Sequence, residues 1–161
     1  MEEIIKLNRR YVDQLAEVDF ESEHPVDAQR NLSKAKMKRY ISLRFDEGKE
    51  IFFGLKKDKE LIGYITLKPF FPGWKHCEIY WLAVKKKFQR QEFGKKLVWY
   101  LEDYARKKGF RKTCLYTGKD MKDAQKFYQK MGYKYVNEFP CFYGFETGNT
   151  TAVLLSKELS Q

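Results

Sequence analysis

Residues 77–97 read CEIYWLAVKKKFQRQEFGKKL, an apolar run that leads through a basic turn into helical spacing. The run from Cys77 to Val84 is typical of a buried strand, and a helix is predicted from Phe93 to Lys108. The first amides of a helix have no partner inside it, and the helix dipole favours an anion at that end. A strand that passes through a short turn into a helix is therefore a candidate phosphate-binding element.

Positive charge surrounds this predicted turn. The basic residues of the segment are Lys85, Lys86, Lys87, Arg90, Lys95 and Lys96. Cations beside a helix start add to its attraction for a phosphate. We interpret the region from Gln89 to Lys95 as a pyrophosphate-binding turn, and the alternative is an ordinary basic turn ahead of a surface helix.

The remaining elements are predicted on both sides of this segment. Before it we expect a strand at Ile4–Leu7, helices at Arg9–Val18 and Ala35–Asp46, a loop at Asp19–Ser33, and a hairpin of strands at Ile51–Leu55 and Leu61–Leu67. After it we expect a strand at Thr113–Thr117, a helix at Lys122–Met131, and strands at Tyr133–Val136 and Thr151–Ser156. Hairpins early in the chain and crossovers later imply a mixed sheet flanked by helices.

The turn resembles motif A of the GNAT N-acetyltransferase superfamily, which reads Gln/Arg-x-x-Gly-x-Gly/Ala. Gln89 and Gly94 fall on its two outer positions, whereas Glu92 stands where the family has its first glycine. A carboxylate about 5 Å from a phosphate costs on the order of 3 kcal/mol at an effective dielectric of 20. We therefore expect weakened rather than abolished cofactor binding at this turn.

A second segment is similar to motif B of the same family, A-x-x-[FL]-Y-x-x-x-G-[FY]. Ala124, Tyr128, Gly132 and Tyr133 occupy its positions, while Met121 replaces an asparagine that is frequent there. The resemblance implies that Tyr128 protonates the departing CoA thiolate. Core packing of a Phe-Tyr pair on a helix is the alternative.

The resemblance implies a fold and a co-substrate. The fold is of the α/β (α+β) class, a GNAT-like acyl-CoA N-acyltransferase fold with a mixed, mostly antiparallel sheet of about six to seven strands and about four helices. Residues 1–161 are expected to form a single N-acetyltransferase domain that uses acetyl-CoA. The residues implied in binding it are Leu82, Ala83, Val84, Gln89, Arg90, Gln91, Glu92, Phe93, Gly94 and Lys95.

The general base is expected on the same strand. Glu78 matches the glutamate that serves as base in the histone-acetyltransferase branch of the family. Its apolar neighbours favour a raised pKa, which suits a base, although pairing with a lysine at the sheet edge is the alternative. Tyr80 is a second candidate base.

The acceptor amine is less well defined by the sequence. Asp19, Glu21, Glu23 and Asp27 form a predicted acidic patch that would attract a cationic amine, and the aromatic loop Phe139–Phe145 is a candidate wall of the pocket. A solvated acidic loop is the alternative. A small amine or polyamine, a peptide amino-terminus and a lysine side chain all remain open.

Composition limits the other functions. The net charge of +10 keeps a nucleic-acid-binding module among the hypotheses, but no basic recognition helix is evident. Three dispersed cysteines predict free thiols, no metal site and a cytoplasmic protein. No membrane span is expected, and a homodimer is left open. A catalytically weak acyl-CoA-binding or regulatory protein is the alternative that Glu92 and Met121 favour.

Overall fold

The computed structural model describes residues 1–24, 31–144 and 151–160. Its strands are β1 Glu2–Leu7, β2 Ile51–Lys57, β3 Glu60–Pro69, β4 His76–Val84, β5 Lys112–Gly118, β6 Lys134–Phe139 and β7 Ala152–Glu158. Its α-helices in these ranges are α1 Val12–Ser22, α2 Lys34–Glu47, α3 Phe93–Lys107 and α4 Lys122–Lys130, with short 3-10 turns at Arg9–Tyr11 and Lys86–Phe88. The predicted order of elements is confirmed.

The seven strands form one hydrogen-bonded sheet in the order β1-β2-β3-β4-β5-β7-β6. The β1–β2, β2–β3, β5–β7 and β6–β7 pairs are antiparallel. The β4–β5 pair is parallel, since a helical crossover rather than a hairpin joins these two strands. The sheet is therefore mixed, as expected, and it has the larger of the two predicted strand numbers.

The helix α1 extends further than the sequence predicted. It runs to Ser22, and the left-handed residue Glu23 (φ 52°) ends it, whereas the sequence predicted a loop from Asp19. The extra turn is stable because Asp19 is buried and bonded to other elements. No described helix combines the length and the apolar character that a membrane crossing requires.

The chain divides into two compact units. The first consists of Met1–Pro69 and Ile79–Tyr104, and the second of Phe70–Glu78 and Ala105–Gln161. Strand β4 contributes to both, because the division falls between Glu78 and Ile79. That residues 1–161 act as a single N-acetyltransferase domain stays a prediction.

An apolar core fixes the first unit. Helices α1 and α2 place an apolar stripe against the β2–β3 hairpin, as their 3.6-residue periodicity predicts. The core side chains include Leu15, Val18, Met37, Ile41, Phe52 and Tyr64, each at most 5% exposed. Helix α3 adds Phe93, Leu97 and Val98, which are also buried. The packing of Phe93 fixes the start of α3 and thus the turn that precedes it.

Candidate functional site

In the first unit, the turn that follows β4 has an unusual backbone. The chain passes from Val84 through the 3-10 turn and reaches α3 with Arg90 and Glu92 at φ values of 59° and 70°. Two hydrogen bonds hold this shape, because the Gln89 side-chain amide donates to the Val84 carbonyl at 2.8 Å and to the Ser22 carbonyl at 2.9 Å. Gln89 therefore stabilises the turn by bridging it to the end of α1.

Glu92 occupies a conformation that normally favours glycine. A side chain at φ 70° costs on the order of 1 kcal/mol relative to glycine. The Glu92 carboxylate is 62% exposed and lies 2.7 Å from Lys95 Nζ. The Glu92 carbonyl accepts the Lys96 amide at 3.0 Å. The backbone thus adopts the glycine conformation without glycine, and a lysine neutralises the added charge.

The start of α3 leaves backbone donors available. Phe93, Gly94 and Lys95 lie in the first turn of the helix, where an amide has no acceptor four residues earlier in the helix. The helix dipole adds a partial positive charge at this end. These are the donors that the sequence predicted for a diphosphate.

Several of the six basic residues predicted around the turn form ion pairs within the first unit. Lys85 is buried, and its ammonium lies 3.0 Å from Glu60. Burial is the largest single influence and lowers the Lys85 pKa, but the hydrogen bond to Glu60 and the nearby carboxylate charges together outweigh it, so the pKa is raised. Lys86 pairs with Glu23, and Lys87 lies 3.1 Å from Glu60. Lys85 is thus a structural residue. Fewer positive charges are available to a phosphate than the number of basic residues in the sequence indicates.

In the second unit, Glu78 lies beside two polar side chains of β5. Its register partner is Cys114, so both side chains share one face of the sheet, and Tyr116 follows on that face two residues later. Glu78 is 6% exposed. Burial first, and then the neighbouring Glu78 carboxylate, raise the pKa of the Cys114 thiol to about 12. Burial also raises the pKa of Tyr116, and Cys114 and Glu78 add to this.

Tyr128 packs on Tyr133, which contacts the opposite face of β5. The Thr113 hydroxyl lies 2.9 Å from the Tyr133 hydroxyl, and the Tyr133 ring meets the Tyr128 ring edge-on at 5.4 Å. Tyr128 is 8% exposed, and its hydroxyl has no hydrogen-bond partner within residues 1–24, 31–144 and 151–160. Burial raises the pKa of Tyr128 above its usual value. A buried phenol of this kind stays protonated at neutral pH.

Two aromatic rings pack against Tyr116. The Phe142 ring stacks on the Tyr116 ring with centroids 4.8 Å apart, and the Phe139 ring lies edge-on at 6.1 Å. We call Tyr116, Phe139 and Phe142 the aromatic cluster. The predicted aromatic loop is thus found on the side of the sheet that carries Glu78, except for Phe145, which lies outside the described residues.

Comparisons with known proteins agree with this geometry. The model of the acetyltransferase (GNAT) family matches residues 10–133. The chain belongs to this family. The match includes the predicted turn, Glu78 and Tyr128, and it confirms the resemblance drawn from the two motifs. Membership supports an acyltransferase with acetyl-CoA as co-substrate.

Individual relatives are distant in sequence. The probable N-acetyltransferase camello of Xenopus laevis is 29% identical over 83 residues, which are 52% of this chain and 38% of that protein. The match thus spans little more than a third of that relative. The structure of the ribosomal-protein-S18-alanine N-acetyltransferase of Escherichia coli has a TM-score of 0.78 at 16% identity, covering 100% of this chain and 96% of that one. The PaiA N-acetyltransferase of Thermoplasma acidophilum, solved with coenzyme A, has a TM-score of 0.72 at 23% identity, covering 98% and 99%. These structures confirm the GNAT fold.

The remaining predicted cofactor residues of this GNAT chain lie at the end of β4 and in the turn. Ala83 and Val84 are buried, and Leu82 is half-buried. The Gln91 side-chain amide donates to the Lys87 carbonyl at 3.0 Å, so this side chain, like that of Gln89, supports the turn. The structure therefore brings residues 82–84 and 89–95 together as one strand end and one turn.

The second candidate base, Tyr80, lies in the first unit in a cationic setting. Its ring is 42% exposed, and Lys68 Nζ lies 3.5 Å from the ring centroid. The Arg44 guanidinium lies 5.3 Å from the same ring. Tyr80 is thus much more exposed to solvent than Glu78, which is 6% exposed.

The predicted acidic patch is wrong for Asp19. Asp19 is 4% exposed and accepts hydrogen bonds from the Tyr64 hydroxyl at 2.8 and 2.9 Å and from Trp81 Nε1 at 2.9 Å. Glu23 pairs with Lys86, and Glu21 lies 3.4 Å from Lys85. Asp27 lies outside the described residues. The sequence could not predict this, since the partners of Asp19 are about 45 and 62 residues away.

Two residues of the site were missed altogether, Cys114 and Tyr116. A period of two along the predicted strand Thr113–Thr117 already places them on one face. The missing information was the β4–β5 register, which sets Cys114 opposite Glu78. A parallel register depends on the crossover between the strands, so no local sequence signal reveals it.

Proposed function

We propose that this GNAT protein transfers an acetyl group from acetyl-CoA to a primary amine by direct attack, with a glutamate base and a tyrosine acid. The observation that carries this proposal is the turn before α3. There the backbone adopts positive φ at Arg90 and Glu92, and α3 begins at Phe93 with amides that have no acceptor inside the helix. Such a helix start binds phosphate oxygens through backbone N–H groups.

The residues present fit a CoA diphosphate. The amides of Phe93, Gly94 and Lys95 supply donors, and the Arg90 side chain supplies charge. The backbone of Leu82 and Val84, at the end of β4, would hold the pantetheine arm. Gln89 and Gln91 act indirectly, since their side chains bond to carbonyls of the turn. The thioester supplies an electrophilic acetyl carbon when it is bound.

Glu78 is proposed to remove the proton that the attacking amine must lose. Glu78 is buried, and its register partner on β5 is Cys114. Because the Cys114 pKa is about 12, the thiol stays neutral and does not add a second negative charge. Burial disfavours the charged form of a carboxylate and so makes it a stronger base than an exposed carboxylate. Tyr80 remains the alternative.

Tyr128 is proposed to protonate the leaving sulfur. Its raised pKa keeps the proton on the phenol at neutral pH. Its hydroxyl has no other acceptor among the described residues, so the proton is available to a new partner. A general acid typically contributes a rate factor of about 10² to 10⁴.

The test combines binding with turnover. Isothermal titration of acetyl-CoA measures the dissociation constant, and release of free thiol over a panel of primary amines measures transfer. We expect saturable binding and thiol release that depends on the amine. A lack of acetyl-CoA binding would overturn the proposal.

A second function has an observation in its favour. Glu92 places strain and a carboxylate at the turn, and Met121 replaces a frequent family asparagine. Both features would suit a regulatory protein that binds acyl-CoA without fast turnover. Tight binding with no thiol release on any amine would favour this alternative over the enzyme.

A further inference from the structure

The aromatic cluster exposes apolar surface at one end of the predicted catalytic face. Phe142 is 45% exposed and Phe139 is 36% exposed, although both contact Tyr116. Ring contacts fix their positions, so they present a preformed apolar surface. Contiguous exposed apolar surface commonly marks a binding site.

Tyr116, the member of the cluster on β5, shares a face of the sheet with Glu78. Cys114 is opposite Glu78 in the register, and Tyr116 lies two residues further along the same face of β5. Two residues of a strand span about 6.6 Å. If the amine of a bound molecule reaches Glu78, a group joined to that amine by a short linker would contact these rings.

The charge of the second unit argues against a polycationic acceptor. Its described residues include twelve Lys and Arg but only five Asp and Glu. Of these five carboxylates, Glu138 lies 3.0 Å from Lys119 and Glu158 lies 4.0 Å from Lys112. A second ammonium would meet net repulsion there.

We infer that the acceptor is a monoamine that carries an aromatic or flat apolar group, which packs on Phe139 and Phe142 while its nitrogen lies at Glu78. This inference rests on the proposed function. The neutral nitrogen bonds to the acetyl carbon and the C–S bond breaks. The nitrogen loses one proton to the Glu78 carboxylate, and the sulfur gains one from the Tyr128 hydroxyl and leaves as a thiol. Proton exchange with solvent then returns Glu78 to the carboxylate and Tyr128 to the phenol.

Phenethylamine, n-butylamine and spermidine separate the substrate classes. With the full chain and saturating acetyl-CoA, we expect kcat/KM for phenethylamine to exceed that for n-butylamine about tenfold, since ring packing adds to area burial. Spermidine should be the poorest of the three. Equal or greater kcat/KM for spermidine would overturn the inference while leaving the proposed transferase intact.

Substitution of Phe142 tests whether the aromatic cluster causes the preference for phenethylamine over n-butylamine. Phe142→Ala should lower kcat/KM for phenethylamine about tenfold, mainly through KM, and that for n-butylamine less than about twofold. Tyr135→Ala is the matched control, because Tyr135 is a 55% exposed ring on β6 outside the cluster. Equal losses for both amines would refute the inference, and Phe142→Leu replaces Phe142→Ala if the latter fails to fold. Absence of thiol release with all three amines, despite acetyl-CoA binding, would contradict the proposed function as well.

Discussion

At the turn between β4 and α3 the groups proposed to meet the substrate are backbone amides, whereas on β4, β5 and α4 of the second unit they are side chains. The turn keeps its shape although Glu92 replaces the family glycine, because Gln89 and the burial of Phe93 hold the backbone. In the second unit the proposed roles belong to the side chains of Glu78 and Tyr128 themselves. A backbone site therefore tolerates changes in sequence that a side-chain site does not.

The sharpest test of this difference is Glu78→Gln. The amide keeps the size of the side chain but cannot accept the proton, so we expect kcat to fall about 10³-fold, within the range for a general base. The dissociation constant of acetyl-CoA should change less than about twofold, since the turn is untouched. Stopped-flow thiol release and isothermal titration measure the two quantities. Retention of full kcat would move the base role to Tyr80, for which Tyr80→Phe is the companion variant.

Tyr128→Phe is expected to have a smaller effect. Loss of the acid should lower kcat about 10²-fold, the lower end of the range for general acids, because water can protonate the thiolate. The hydroxyl has no partner among the described residues, so its removal should not reduce the free energy of unfolding. Tyr100→Phe, on the partly exposed side of α3, is the control. Loss of stability without loss of kcat would indicate a packing role instead.

The sequence predicted the side-chain site less completely than the turn. The order of elements, the turn and the motif residues were recognisable because each depends on neighbours in the chain. The sequence predicts Asp19 in a loop, as part of an acidic patch, because its neighbours in the chain are acidic, whereas its partners Tyr64 and Trp81 are remote in sequence. Cys114 and Tyr116 were missed because a parallel register fixes their place next to Glu78.

Asp19→Ala tests whether the α1 end supports the turn. The change leaves the Tyr64 hydroxyl and the Trp81 indole N–H without their acceptor in a buried site, which should cost about 2 kcal/mol of unfolding free energy. That corresponds to a drop of about 4–8 °C in Tm for a chain of this size. Asp13→Ala on the same helix is the control, because Asp13 is 76% exposed. Both variants are measured by thermal and urea unfolding.

If Asp19→Ala also weakens acetyl-CoA binding, the support extends to the turn, since Ser22 of the same helix accepts the Gln89 hydrogen bond. We expect a loss of affinity of about threefold or less, because Gln89 retains its bond to Val84. A larger loss would show that the turn depends on side chains as strongly as the second unit does. The turn would then be no more tolerant of side-chain changes than the second unit.

Glu92→Gly is the smallest change and the most direct test of the backbone site. Glycine adopts φ 70° without strain, so the folded turn should gain up to about 1 kcal/mol, and removal of the carboxylate should tighten acetyl-CoA binding about three- to fivefold. Glu92→Ala separates the two causes, since it removes the charge but keeps the strain. If affinity rises equally in both variants, charge alone limits binding; if it rises only with glycine, the conformation does. An unchanged affinity in both would mean that the pairing of Glu92 with Lys95 already cancels its charge, and that the family glycine is dispensable wherever the surrounding contacts hold the turn.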